Sequence, residues 1–473
     1  MERRFELRKD ALLAEAQVDA QLFRGTVQRL EKFIEPFAAR LWRPEQAEHT
    51  LEFVSGLISD LDRKNTESIA YRHDQDRKNL QHFIGQAEWD HEPLFVELAR
   101  QVGQSLGRPD GVLVFDPSGF PKKGTESVGV QRQWCGRLGK VDNCQVAVYL
   151  GYVSAEEHAL VNTRLYFPKA WAQDRRRRKK CRVPRTLRYQ TRHALCLQML
   201  DEVGDLLPHA WIAGDDEMGR SSRFRRELRE RGQQYVLAVP SNTLVRDLDV
   251  EPPKYAGQGA PPKTPFRRVD VWRESLPENA WMKLSVRDGE KGPLEVAIVA
   301  CRVCAKTDRR RVGPEEVLVV IRVRDEQGEV KHDYYLSNGS AETPLVEFAR
   351  VAKAEHRIEE CIQRGKSETG LADYEVRSWR GWYHHQVLSM IAGWFVLTET
   401  RRGKKIHACD DVPPNASHDR VTLALGEPVR WSHTHCSRTH TATRTKPARA
   451  LLPLQTTKPS SPFDFRTTPN LEQ

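Results

Sequence analysis

Gly111-Val-Leu-Val-Phe-Asp-Pro-Ser-Gly-Phe-Pro-Lys-Lys-Gly124 decides the fold. A short apolar run, Gly111 to Phe115, stops at Asp116 and is followed at once by Pro, Ser and Gly. A run of that length between turn residues predicts a buried strand with Asp116 at its end. The same pattern recurs downstream, where Ala210-Trp-Ile-Ala213 runs into Gly214-Asp215-Asp216. Between the two lie further strand-like runs, Gln145 to Val153 and Thr163 to Phe167, and a helical stretch, Thr191 to Leu207, with Leu195, Met199 and Leu200 among its apolar positions. A basic helix, Ser221 to Arg231, and a strand, Tyr235 to Val239, complete the segment. Strands alternating with helices predict an α/β core over residues 106–240.

On either side the pattern changes. Residues 1–105 read as helical, with Ala47, Leu51, Val54, Leu57 and Ile58 at helical spacing, and Leu80, Phe83 and Ile84 further on. After Pro240 and the Pro- and Gly-rich stretch from Glu251 to Lys263, residues 241–342 read as mostly strand: Phe266–Trp272, Trp281–Val286, Leu294–Val303, Val317–Val323, then a hairpin connection at 325–329 into His332–Leu336. Helical period returns over 343–400, ending in a mostly buried helix, Trp379 to Leu397. The tail, 401–473, is rich in Thr, Pro, Ser and basic residues, a composition that predicts disorder.

The chain has 473 residues, enough for several domains with sizeable cores. Its 39% hydrophobic and 30% charged content excludes collagen, coiled coil and bulk disorder. Val387 to Leu397 is about half the ~20 residues that span a bilayer, and Glu2, Arg3 and Arg4 replace the apolar stretch of a signal peptide, so a soluble cytoplasmic protein is expected. Nine scattered cysteines fit a reducing compartment, and the lone pair Cys301 and Cys304 reads as ordinary strand cysteines. The net charge of +10 points to a polyanionic partner.

Three carboxylates stand where the predicted elements meet: Asp116 and Asp215 at strand ends, and Glu359 on the helix after the β-rich block. Carboxylates from two adjacent strand ends, faced by a third from a helix, suit hard divalent cations, which prefer oxygen ligands. Two such ions about 3.5–4 Å apart serve phosphodiester chemistry by activating one oxygen and stabilising another. Glu360 is an alternative to Glu359, and Asp216 and Glu217 shadow Asp215; Asp142 reads as a turn residue.

The Phe115–Gly124 segment resembles the first-aspartate region of bacterial insertion-sequence transposases of the DDE type. So does the segment that follows it, Val128-Gly-Val-Gln-Arg-Gln-Trp-Cys-Gly-Arg-Leu-Gly-Lys-Val-Asp-Asn-Cys144. Leu165-Tyr-Phe-Pro168, Gly214-Asp-Asp-Glu-Met-Gly219, Tyr235-Val-Leu-Ala-Val-Pro240, Ile358-Glu-Glu360 and Gly370-Leu-Ala-Asp-Tyr-Glu-Val-Arg-Ser-Trp379 continue the likeness in order, over about residues 30–400. The resemblance implies an RNase H-like mixed-sheet core carrying an inserted mostly β domain, with a helical N-terminal DNA-binding region. It implies that Asp116, Asp215 and Glu359 bind two Mg²⁺ ions, for which Mn²⁺ substitutes. The glutamate helix of cut-and-paste relatives carries Tyr, Arg, Glu and Lys at fixed spacing. Glu359 and Lys366 keep the final spacing, placing Lys366 to grip a phosphate, whereas Ala352 and Glu355 stand where Tyr and Arg are expected. Either a nearby base such as Arg357 substitutes, or this copy is catalytically impaired.

Basic residues supply the expected DNA contacts. Arg175, Arg176, Arg177 and Arg178 open a run with seven basic residues in the eight positions 175–182, read as DNA-backbone contact in preference to a solvated loop. Lys122, Lys123, Arg132, Arg137 and Lys140 cluster around Asp116 and Trp134, itself either a base-stacking or a core residue. His384 and His385, in an apolar helix, read as structural; His433, His435, Cys436 and His440 resemble a metal tract only superficially. The expected function is divalent-metal-dependent cleavage at element ends with transfer of the 3′-OH ends to target DNA. Its partners would be the terminal inverted repeats, target DNA and a second protomer, with no membrane and no small-molecule substrate. The alternatives are a catalytically impaired DNA-binding derivative and a metal-dependent nuclease without strand transfer.

Overall fold

The apolar run at Val114 becomes the middle of a long mixed sheet. The structure, a computed structural model, describes residues 24–406 apart from 256, 258, 290, 291 and 325–327. The expectations for the first 23 residues and for the tail beyond 406, its histidines included, lie outside the described residues.

Among the described residues five helices come first: α1 (Thr26–Ala38), α2 (Pro44–Leu57), α3 (Thr66–Arg72), α4 (Arg77–Gly85) and α5 (Glu92–Leu106). Local chemistry sets their starts. Asn65 and Asp76 accept backbone N–H bonds at the heads of α3 and α4, and Pro44 opens α2 where no donor is needed. Leu30, Ile34 and Phe37 are buried at helical spacing on α1.

The core strands are β1 (Val112–Pro121), β2 (Gln131–Cys135), β3 (Lys140–Val153), β4 (His158–Leu165), β5 (Trp211–Gly214) and β6 (Tyr235–Ala238). Between β4 and β6 lie α6 (Lys169–Gln173), α7 (Arg175–Lys180), α8 (Arg192–Val203), α9 (Asp216–Arg220) and α10 (Ser222–Glu230). β3 pairs antiparallel with β4, β2 and β1, whereas β1, β5 and β6 run parallel. Four strands, β1 to β4, joined antiparallel through β3 and followed by two strands parallel to β1 and reached through helices, make an RNase H-like α/β core.

The β-rich segment extends that same sheet. It contains β7 (Leu244–Asp247), β8 (Arg267–Arg268), α11 (Val269–Glu274), β9 (Met282–Gly289), β10 (Gly292–Lys306), β11 (Val312–Arg324) and β12 (Val330–Ser337). β12 pairs with β6 through Leu336 opposite Leu237, then β11, β10, β7 and β8 follow outward. The chain closes with α12 (Leu345–Ala352), α13 (Ala354–Glu368) and α14 (Trp379–Ile406). Trp382, Val387, Leu388, Ile391 and Phe395 of α14 are buried in the main core, and no described helix is long and apolar enough to cross a membrane.

Several expected elements differ. β1 does not stop at Asp116 but runs to Pro121, because β3 pairs with it along the whole length. Residues 266–272 are mostly helix: Val269 and Trp272 are buried three positions apart, a helical rather than an alternating spacing. Arg175–Lys180 forms a short helix capped by Asp174, whose side chain accepts from Arg177 N, instead of a loop. β2 was not expected, and β4 begins at His158, ahead of the expected Thr163.

Candidate active site

Strand register builds the site. Phe115 pairs with Gly214 in the parallel β1–β5 ladder, and there β5 ends. Asp116 and Asp215 therefore follow side by side at the carboxyl edge of neighbouring strands. They leave that edge differently: Asp116 stays in β1 opposite Tyr149, whereas Asp215 turns away to cap α9, its Oδ1 accepting from Met218 N at 3.1 Å. Gly219 lets α9 lie close against β6, since a Cβ there would fall 1.9 Å from the Ala238 carbonyl oxygen.

The third wall is α13, which packs on β1, β3 and β4. Ile358 lies against Gly151 of β3, where an added Cβ would come within 2.3 Å of its Cδ1. Asp116 and Ser118 share one face of β1, and Lys366 Nζ donates to Ser118 Oγ at 2.7 Å while sitting 4.9 Å from the Phe120 ring centroid. The seven-residue step from Glu359 to Lys366 thus spans the approach to Asp116.

A cavity of about 620 Å³ opens here, lined among others by Asp215, Asp333, Lys353, Glu355, His356 and Glu359. Glu359 is exposed, 58% by side chain, with His356 Nδ1 3.6 Å from its Oε2. Glu355, one turn earlier on the same face, is half-buried and has no hydrogen-bond or ion-pair partner among the described residues. Lys353, the cation beside it, is taken by Asp333 at 2.7 Å. Burial is the main cause that holds the Asp116 carboxyl well above the usual carboxylate range; Asp215 and Glu359 add to it, and Lys366 opposes it. Glu355 is raised in the same way by burial, then by Asp215, Asp116 and Glu359. Asp215 is pushed up to about 7, first by burial, against the cap N–H of Met218. Acids crowded and desolvated together stay protonated more readily.

Among the described residues no three histidine, cysteine or carboxylate side chains converge closely enough to hold a metal ion as they stand. The donor chemistry nevertheless fits a hard divalent cation, since Asp116, Asp215, Glu355 and Glu359 offer carboxylate oxygens whose repulsion a cation offsets. The neighbours that shadowed these acids are engaged elsewhere. Glu360 pairs with Arg364 at 2.8 Å, Asp216 with Arg220 at 3.0 Å and Glu217 with Arg192. Asp142 is not the expected turn residue: it lies in β3 opposite Gln133 of β2, because β2 pairs with β3 there, and it accepts from Asn143 N at 2.7 Å. Arg357 does not take the place of the missing arginine: its guanidinium lies against the backbone carbonyls of Ala155 and Glu156. The resemblance already puts Glu355 on the glutamate face of this helix, four residues from Glu359; the structure adds that it is half-buried and lines the cavity.

The basic residues divide into two groups. Lys123, Arg132, Arg137, Lys140, Arg175 and Arg176 are exposed, Lys140 lying 3.1 Å from Asp142. Lys122 instead bends inward over the Tyr374 ring at 3.5 Å, and burial brings its amine down to about 8. Arg177 stacks 3.6 Å from the Trp171 centroid and donates to the Thr125 carbonyl, while Arg178 donates to the Pro184 and Leu187 carbonyls, so both brace the fold. Trp134 is 58% exposed, which excludes the core reading. His384 and His385 are buried and bonded to the carbonyls of Ile84, Trp89 and Gly370, a structural role.

The comparisons with known proteins bear on this edge of the sheet. The family model of the DDE superfamily endonucleases matches residues 36–293, a span holding Asp116 and Asp215 and stopping short of α13. A probable transposase for insertion sequence element IS701, from Microchaete diplosiphon, is 31% identical over 199 residues, covering 41% of this chain and 49% of that relative. The chain thus spans about half the length of the curated relative it matches. With more than half of its residues inside the family match, and both strand-end aspartates among them, the chain belongs to the DDE superfamily endonucleases.

Proposed function

We propose that this chain is the transposase of an insertion sequence, cutting DNA at the element ends and joining the freed 3′-OH ends to target DNA. One observation carries the reading: the parallel register that sets Asp116 beside Asp215, with the Glu355 and Glu359 face of α13 across the cavity. The IS701 relative supports the transposition step, and the family supports the cleavage.

Asp116, Asp215 and Glu359 would hold two divalent cations, Mg²⁺ or Mn²⁺, with Glu355 as a fourth carboxylate within reach. Bound there, such ions activate an attacking oxygen and stabilise the leaving one in an in-line displacement. The chain's own residues do the rest. The cap bond from Met218 N fixes one oxygen of Asp215 and leaves the other toward the cavity. Lys366, held at Ser118, offers an ammonium to the phosphate beside Asp116. The proposed reaction needs no covalent protein intermediate, and Ser118 serves to hold Lys366. The exposed cations at 123, 132, 137, 175 and 176 hold backbone phosphates of the duplex, and two protomers pair the two ends.

A second reading, a catalytically impaired DNA-binding derivative, is favoured by one feature: Glu355 stands where an arginine is expected and Arg357 is committed elsewhere. The deciding experiment is cleavage and strand transfer on a labelled duplex carrying the gene's own flanks, with Mg²⁺ or Mn²⁺, comparing the native chain with Asp215→Ala. Metal-dependent end products that vanish in the variant establish the transposase. Cleavage without joining reduces it to a nuclease, and binding without products from either protein establishes the impaired derivative.

A further inference from the structure

A second concentration of charge lies away from the carboxylate cavity. Arg309, Arg310 and Arg311 form the turn between β10 and β11; all three are exposed, and none of their guanidinium groups has an ion-pair or hydrogen-bond partner among the described residues. The turn is anchored: Ser222 N donates to Asp308 Oδ1 at 3.2 Å, and Asp308 N donates to Ser222 Oγ at 3.0 Å. Arg310 holds φ at 56°, and Thr307 N bonds Arg311 O at 2.9 Å across the turn. Docking the turn on the head of α10 sets Arg309 and Arg311 with Arg223 and Arg226 around a cavity of about 530 Å³, and Arg310 is exposed at the tip of the turn between them.

Asp308 of the same turn sets one negative charge against this surface, and the other acids nearby are engaged. Glu316 is buried and taken by Arg225 at 2.8 Å, and Glu315 is taken by Arg302 at 2.7 Å. Glu227 and Glu230 answer Arg223 and Arg226 with single contacts of 3.3 and 3.4 Å along the helix. Three unpaired guanidinium groups held in one turn repel each other unless an anion lies on them. Their nearness in the chain to the carboxylate cavity favours the backbone of the same duplex as that anion. Ser222 is seven residues from Asp215, and seven residues span at most ~25 Å; at about 3.4 Å per base pair that distance is roughly seven base pairs.

We propose that the β10–β11 turn and the exposed face of α10 clamp the phosphate backbone of duplex DNA within roughly seven base pairs of the phosphate held at the carboxylate cavity. The clamp rests on the reading of this chain as a DNA-cutting enzyme. It adds a contact surface contributed by the β-rich segment, separate from the exposed cations around Asp116. The contacts are to phosphate, so they add affinity and register without reading sequence.

The test uses the full chain carrying Arg309→Gln, Arg310→Asn and Arg311→Gln together; asparagine tolerates the left-handed backbone at 310. Binding to a fluorescent duplex bearing the gene's flanks is measured between 50 and 200 mM salt. Each lost phosphate contact flattens the log affinity against log salt plot by about 0.9, so the triple variant should lose about 2–3 from the slope. Its affinity should fall at least tenfold at the low-salt end. Glu342→Gln, exposed, outside both cavities and removing no cation, should keep the native slope. An unchanged slope and affinity in the triple variant overturns the clamp while leaving the enzyme reading intact. Absence of duplex binding by the native chain overturns both. Should the triple variant fold poorly, Arg309→Gln with Arg311→Gln alone carries the same test, with a loss of about 1–2 in slope.

Discussion

Asp215 carries two obligations that pull against each other. It caps α9 as a carboxylate, yet burial raises its pKa from 3.8 to about 7. Because the folded form keeps its proton where the unfolded chain has lost it, the stability from this group is full below about pH 4 and is lost as pH rises through about 7. Without divalent cation, the native chain should therefore melt at falling temperature across that window. Asp215→Asn keeps the cap without the charge and should raise the metal-free melting temperature at pH 8 by roughly 2–5 °C, while making the decline with rising pH shallower, the rest being due to the raised carboxyls of Asp116 and Glu355. A variant that follows the native pH curve would show that the buried charge is not the cause. Glu355 makes a related case. Half-buried, unpaired and facing Asp215, it should gain stability when neutralised, so Glu355→Gln in chelator should melt about 1–3 °C higher than the native chain. The same variant should bind Mn²⁺ more weakly by calorimetry, since one carboxylate near the cavity is gone. Unchanged Mn²⁺ affinity would confine Glu355 to a bystander role and leave Glu359 as the helix ligand.

Between elements, the site depends on close backbone approach. Gly219 puts α9 against β6, with no room for a Cβ beside the Ala238 carbonyl. Gly219→Ala must push the helix outward, costing about 1–3 kcal/mol of overpacking and carrying the Asp215 cap with it. Thermal melts and cleavage assays on this variant should both fall, whereas Gly85→Ala, where nothing lies within 4 Å, should change neither. Contacts of this kind explain what the sequence revealed and what it hid. The apolar runs ending at Phe115 and Ala213 were legible because a fully buried strand must be continuously apolar, and the two aspartates followed from them. The extension of β1 to Pro121 was not legible, since only pairing with β3 keeps Pro117, Ser118 and Gly119 in a strand. Residues 266–272 misled because Val and Trp favour strands, while burial of Val269 with Trp272 selects a helix. The basic run at 175–180 looked uniform in sequence, yet Trp171 and the Pro184 and Leu187 carbonyls divert Arg177 and Arg178 from the surface. The motif position of Glu355 was legible, but its half-burial was not, because that depends on how the packing of Ile358 on Gly151 seats α13 against the sheet.

At the scale of the molecule, the sheet runs without a break from β2 to β8, and one buried cluster ties its two halves together. Glu316 of β11 accepts from Arg225 of α10 at 2.8 Å and from the Tyr235 hydroxyl of β6 at 2.6 Å, so the β-rich strands and the α/β core share a carboxylate. Removing one member of a buried pair leaves the other charge desolvated and typically costs about 3–5 kcal/mol. Glu316→Ala should accordingly lower the melting temperature by roughly 4–8 °C for a chain of this length, with Arg225 left uncompensated. Arg225→Met with Glu316→Leu removes both charges and should recover much of that loss. Recovery should stay incomplete, because Tyr235 and Arg229 also lose their acceptor. The shape of the transition carries further information. If β12 on β6 couples the halves, calorimetry of the Glu316→Ala chain should still show one transition at lower temperature. Two separated transitions, one unchanged from the native value, would mean that the β-rich segment unfolds by itself and that the shared carboxylate, more than the strand pairing, had joined it to the core.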